Sequence, residues 1–227
     1  MDGNERPAAV SRLYTLGAKI IRMYVDHEKR FVFLHIPKTA GMSILNALGT
    51  SDRDCDSHGL PDRLDPKLMG YVRFCFVRNP YERVLSAYLY SKRMAEAGRG
   101  VKNHFVRRKI LKYKYDSFSD FVVYGMTEEL VNRNLHFQKQ LRWIRIGCPN
   151  FIGRLETIDD DIDRVSKLIG QTLVLGRKNA SYNREERKAR RASGITYRNE
   201  YNSKAKRKIH ELYADDLRYL NYKFFEH

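Results

Sequence analysis

Two short stretches set cations and hydroxyls beside the ends of apolar runs. The first, Phe31 to Leu48 (FVFLHIPKTAGMSILNAL), joins an apolar run to a loop of Pro37, Lys38, Thr39, Ala40 and Gly41, then to an amphipathic helix start. Backbone N–H groups at a helix start point outward, the helix dipole favours an anion, and Lys38 adds a mobile cation. That is the chemistry of a phosphate cradle. The GxxxxGK[ST] spacing of a Walker A loop is missing. The second stretch, Val77 to Tyr88 (VRNPYERVLSAY), puts Arg78 where another apolar run ends, and in open α/β sheets ligands bind at the carboxyl ends of the strands. Pro80 suits the first turn of a following helix. Ser86 falls about two turns into it, within reach of an anion held by the Arg78 fork. Taken singly, each stretch also fits a plainer arrangement. The first could be a strand–turn–helix with no ligand, and the second an arginine paired with a surface carboxylate and a serine facing solvent.

The elements that must hold these groups follow from periodicity. Strands are expected at Phe31–Ile36, Tyr71–Val77 and Phe151–Leu155, the second largely apolar as for a sheet covered on both faces. Helices are expected after the cradle loop, closed by Gly49; from about Tyr81 to Ala95; and from Thr127 through Leu130, Leu135 and Leu141 to about Ile144. Two more are expected from Asp159 to Ile169, closed by Gly170, and from Ser203 to Tyr219. Ser117 and Asp120 form a capping-box pattern before Phe121 and Val122. Thr50 to Pro66 reads as a loop that carries His58. From Val10 to Tyr24 the residues Val10, Leu13, Leu16, Ile20, Ile21 and Tyr24 recur at helical spacing among Arg12, Lys19 and Arg22. Residues 1–30 therefore read as an N-terminal basic amphipathic helix that docks on the domain or lies on a membrane surface. Strands alternating with helices predict one α/β domain of P-loop-like design over residues 31–227, a central parallel sheet flanked by helices.

At 227 residues the chain can bury a core without staples. A formal net charge of +16 attracts polyanions: phosphorylated cofactors, acidic glycans, anionic membranes or nucleic acid. Cys55, Cys75 and Cys148 are widely spaced, without a CxxC, so buried thiols in a reducing compartment are expected and no metal site is proposed. No apolar run is long enough to span a bilayer and no signal-peptide core is visible, so a cytoplasmic or membrane-peripheral location is expected.

Taken together, HIPKTAG after one strand and FVRNPYERVLSAY after another resemble the two nucleotide-binding motifs of sulfotransferases that use 3′-phosphoadenosine 5′-phosphosulfate. The wording is closest to the carbohydrate branch with the heparan sulfate 2-O-sulfotransferases and bacterial relatives. The resemblance implies that Lys38, Thr39, Ala40, Gly41, Met42 and Ser43 wrap the 5′-phosphosulfate while Arg78 and Ser86 hold the 3′-phosphate. Weaker echoes are LHFQKQ at Leu135–Gln140, FIGRLE at Phe151–Glu156 and Tyr213-Ala214-Asp215-Asp216-Leu217 with Tyr222-Lys223-Phe224, so the match runs over residues 31–224. Met42 departs from the usual hydroxylated residue, leaving a backbone amide but no side-chain donor; a lost neutral hydrogen bond costs about 1 kcal/mol.

The implied reaction is in-line sulfuryl transfer to a hydroxyl of a glycan or glycoconjugate, and the basic runs would suit an anionic acceptor. Lys38 is then the leaving-group cation, and His58, between the motifs where the branch carries its catalytic histidine, the general base. His136 is the second candidate base and His35 a structural residue; Glu82 and Glu156 suit structural ion pairs. Asn179-Ala180-Ser181 with Arg184 resembles the loop that closes over the adenosine and 3′-phosphate, making Ser181 and Arg184 further contacts. Two rival readings stand beside this one. A P-loop-like ATP-dependent kinase fits the cradle but lacks a Walker A Lys-Ser/Thr and an acidic strand end for magnesium. A basic nucleic-acid-binding protein has charge in its favour and no recognition motif.

Overall fold

A computed structural model describes residues 20–51, 55–59, 64–97, 115–176 and 196–224, with the side chains of 20–22 and 56–59 excepted. Five strands form one sheet: β1 (Ile20–Asp26), β2 (Phe31–Leu34), β3 (Asp56–Gly59), β4 (Val72–Val77) and β5 (Phe151–Arg154), in the order β3-β1-β2-β4-β5. β2, β4 and β5 run parallel, whereas β1 is antiparallel to both β2 and β3. The described helices are α1 (Gly41–Ala47), α2 (Pro80–Glu96), α3 (Phe118–Asp120, running on as a π turn Phe121–Gly125), α4 (Glu128–Arg133), α5 (Leu141–Gly147), α6 (Ile158–Ile169), α7 (Ser203–Leu212) and α8 (Ala214–Tyr219).

Strand alternation sorts the core into two layers. Phe31, Phe33, Phe74 and Phe76 point to one face, where α1 supplies Ile44 and Leu45 and α6 supplies Ile162, Val165 and Ile169. Val32, Leu34, Cys75 and Val77 point to the other, under α2, α5 and the C-terminal helices. Helices on both faces of a parallel sheet core make this an α/β fold.

Several expected boundaries change. Ile20–Tyr24, assigned above to a helix, belong to β1; residues 1–19 lie outside the described residues. The run Ile20-Ile21-Arg22-Met23-Tyr24-Val25 is rich in β-branched and aromatic side chains, and the turn at residues 27–30 lets it pair with β2, Asp26 opposite Phe31. Sheet pairing overrides the weaker helical periodicity. The loop expected over Thr50–Pro66 contains β3, an edge strand. The long helix expected from Thr127 to Ile144 is broken into α4 and α5 by a turn from Asn134, and the last helix breaks at Tyr213. Both breaks have a cause in side-chain bonding. Tyr213 sends its hydroxyl to the Phe137 carbonyl, and Asp216 accepts from the amides of Gln140 (2.8 Å) and Leu141 (3.0 Å). A remote carboxylate thus caps α5 and makes the turn cheaper than a continued helix. Cys55 and Cys75 are buried, but Cys148 is exposed, sitting at the end of α5 with φ 41.

Candidate active site

The β2–α1 loop is held in a shape its residue types do not favour. Lys38 (φ 73) and Ala40 (φ 66) both have left-handed backbones, costly for residues with a Cβ. Interactions around them keep the turn. The Thr39 hydroxyl donates to the Ile36 carbonyl at 2.8 Å, and the Ala40 carbonyl accepts from Ser43 (2.9 Å) and Ile44 (3.1 Å). Gly41 is required by close approach: a Cβ there would lie 2.0 Å from the His35 ring, which also stacks on Phe33. His35 is therefore the packed structural residue expected. Thr39 spends its hydroxyl inside the loop, so its backbone is what remains for a ligand. Met42 turns into the apolar layer of Phe31 and Phe74.

Three cations converge on this loop. Lys38 follows β2, and Arg78 follows β4 with Nη1 3.5 Å from the Lys38 carbonyl. Arg83, one turn into α2, donates from Nε to the Pro37 carbonyl (2.9 Å) and from Nη1 to the Gln138 carbonyl (2.8 Å). The Gln140 side chain locks the Arg78 backbone in both directions, accepting from its N–H (2.9 Å) and donating to its carbonyl (2.8 Å). Asp216 thereby reaches Arg78 through Gln140. Burial first, then the charges of Arg78, Arg93 and Arg83, bring the Lys38 ammonium down from 10.5 to about 7. Its Nζ sits 4.2 Å from the Tyr90 ring centre. Arg83 is fully buried, and burial lowers its pKa despite opposing help from Tyr213 and Asp216. Arg83 Nη2 and Arg78 Nε are buried and find no acceptor among the described residues. Buried guanidinium N–H groups beside a cationic loop suit an oxyanion with several acceptor oxygens.

The sequence matches the Sulfotransferase family over residues 22–223. The chain belongs to the sulfotransferase family. It is 21% identical to carbohydrate sulfotransferase 11 of Danio rerio over 239 residues, covering 88% of this chain and 66% of that protein. It is 24% identical to carbohydrate sulfotransferase 14 of the same fish over 195 residues, 72% of this chain and 53% of that protein. An uncharacterized protein of Archaeoglobus fulgidus is 34% identical over 110 residues, 48% of this chain and 77% of that protein. The chain thus spans two thirds or less of the two carbohydrate sulfotransferases. No solved structure gives a significant match.

Within this sulfotransferase fold the expected site residues fall into three groups. Lys38, Thr39, Ala40, Gly41, Met42 and Ser43 form the loop and the opening of α1. Arg78 stands beside that loop, but its Nη2 is paired with Glu82 at 2.7 Å, the ion pair anticipated for Glu82. Ser86 is buried on α2, on the face it shares with Arg83 and Tyr90. Ser181 and Arg184 lie outside the described residues.

His58 belongs to β3 rather than to a loop. Met23 is opposite both Leu34 and Asp56, and Ile21 is opposite His58, so His58 is level with Ile36, just before the β2–α1 loop. Its backbone is two strand spacings from β2, roughly 10 Å. His136 lies in the turn between α4 and α5, its ring 4.8 Å from that of Tyr90. Glu156 is structural by hydrogen bonds rather than the ion pair expected: it accepts from the Asn79 N–H (2.7 Å) and the Tyr222 hydroxyl (2.8 Å). The C-terminal tyrosine is thus tied to the Arg78-Asn79 strand end. Arg83, Tyr90 and the locking role of Gln140 were not anticipated. The spacing of Arg83, Ser86 and Tyr90, i, i+3 and i+7, carried a signal for the first two, since it puts them on one helix face.

No helix among the described residues is long and apolar enough to cross a membrane.

Proposed function

We propose that the chain transfers a sulfuryl group from 3′-phosphoadenosine 5′-phosphosulfate to a hydroxyl of a glycan or glycoconjugate. The observation that carries this reading is the meeting of Lys38, Arg78 and Arg83 at the β2–α1 loop, with buried guanidinium N–H groups left for an anion. Family membership and the names of the two carbohydrate sulfotransferases support the reaction and the acceptor class. The donor supplies an activated sulfuryl group on a phosphate leaving group. Lys38 neutralises charge growing on the bridging oxygen as the S–O bond breaks. Arg83 fixes the Pro37 carbonyl and so the loop on which Lys38 stands. Arg78 and Ser86 hold the 3′-phosphate, and His58 takes the acceptor proton as its oxygen bonds to sulfur.

The reading is tested by thermal shift with adenosine 3′,5′-bisphosphate, ATP and an oligonucleotide. The bisphosphate should stabilise the protein; a response to ATP alone would favour a kinase instead. Labelled-sulfate transfer to acidic glycans, neutral glycans and glycolipids then identifies the acceptor.

Two substitutions test the roles. Arg78→Ala should weaken bisphosphate binding by about 1.5–3 kcal/mol, the scale of a charged hydrogen bond. Glu82 already engages one nitrogen of that fork, so the lower half of the range is expected. Full affinity by calorimetry would remove Arg78 from the site. His58→Ala should abolish most turnover while leaving bisphosphate affinity unchanged. Undiminished turnover would move the base to His136, which lies against Tyr90 beneath Lys38.

A further inference from the structure

The Lys38 backbone is fixed by its loop, yet its ammonium rides on a flexible four-carbon stem. Among the described residues, the loop's hydrogen bonds hold its backbone and the Thr39 hydroxyl rather than that head. Tyr90 meets it from α2, its ring centre 4.2 Å from Lys38 Nζ, a separation at which the negative ring face attracts a cation. The ring is braced in turn: His136 reaches it from the α4–α5 turn, with centroids 4.8 Å apart and planes at 60°. The brace is anchored at both sides. The His136 N–H donates to the Asn134 side chain at 3.0 Å, and Arg83 holds the Gln138 carbonyl two residues on. Burial and the neighbours Arg78, Arg93 and Arg83 all disfavour the ammonium, and the face of the Tyr90 ring is the electron-rich surface set beside it.

We propose that Tyr90 is a positioning residue, holding the Lys38 ammonium at the mouth of the cradle for the 5′ end of the donor nucleotide, with His136 bracing the ring. The inference rests on the nucleotide reading above and names how one of its groups is aimed.

Its test uses calorimetry with two ligands that differ only in the 5′-phosphate: adenosine 3′,5′-bisphosphate and adenosine 3′-monophosphate. Tyr90→Leu should weaken the bisphosphate about tenfold, between the sizes of an exposed and a desolvated cation–π contact. The 3′-monophosphate should stay within about twofold of wild type, and Tyr90→Phe, which keeps the ring face, should restore bisphosphate affinity. A purely structural side chain would weaken both ligands alike, and that outcome, or no loss on either, overturns the proposal. If Tyr90→Leu does not fold, pentafluorophenylalanine in place of Tyr90 keeps the ring shape while reversing its quadrupole. It should give the same selective loss relative to Tyr90→Phe, and equal affinities would overturn the role. Wild-type protein that binds neither nucleotide would instead overturn the donor reading, and this inference with it.

Discussion

Replacing Lys38 by methionine is expected to cut turnover about 10²–10³-fold, the usual effect of deleting one preorganised donor from a developing oxyanion. Methionine keeps the length and apolar stem, so the left-handed loop and its contacts can stay while the charge goes. The same variant should remove a pH dependence that the wild type is expected to show. Burial and three arginines hold the free Lys38 near 7. A bound phosphate favours the ammonium, so the pKa in the complex is higher than in the free protein. Affinity for adenosine 3′,5′-bisphosphate should therefore be greatest below pH 7 and fall above it, by at most about tenfold per pH unit for one coupled proton. The phosphates themselves are already ionised in that window, with second pKa values near 6. Calorimetry from pH 6.5 to 8.5 should give a falling affinity for wild type and a flat one for Lys38→Met. A flat wild-type profile, or a methionine variant with full turnover, would show that Lys38 neither binds nor neutralises the leaving group.

The second large effect is structural. Arg83→Leu should destabilise the protein by about 3–5 kcal/mol, because the fully buried guanidinium holds two main-chain carbonyls, those of Pro37 and Gln138. Two effects oppose each other. Removing a buried charge relieves a desolvation penalty, visible in the lowered Arg83 pKa. Leucine cannot donate, however, and each carbonyl left buried without a partner costs about 1–3 kcal/mol. The carbonyls win because both hydrogen bonds are buried, so two acceptors lose their donor at once. For a chain of this size the melting temperature should drop by roughly 10 °C. A loss below about 1 kcal/mol in denaturant unfolding would mean that water replaces the guanidinium, and that Arg83 is there for the ligand rather than for the loop.

The sequence by itself determined the parts whose signal is local. Alternating or continuous apolar runs placed β2, β4 and β5, and a strand ending in a Lys- and Gly-bearing loop marked the cradle. The capping residues Ser117 and Thr127 opened helices as their types require, each accepting from the amide three residues on. Gly49 and Gly170 closed helices with positive φ. Residue spacing alone put Arg78 at a strand end and Ser86 two turns beyond it.

Tertiary structure decided what depends on partners distant in the chain. Ile20–Tyr24 carry a helical period, yet they form a strand because β2 and β3 offer backbone partners on both sides. The helix expected through Leu135 breaks because Asp216, 75 and 76 residues away in sequence, caps its second half. Arg83 read as an ordinary charged position on a helix; only the packing of α2 against the cradle loop makes it a buried strut. Spacing puts Tyr90 on the helix face of Arg83 and Ser86, but its cation–π contact with Lys38 is set by where two backbones pass. The residue types suited to an anion are thus local facts, while the protonation of Lys38 is set by burial and three arginines, and its ammonium meets a tyrosine ring, all brought to it by the fold.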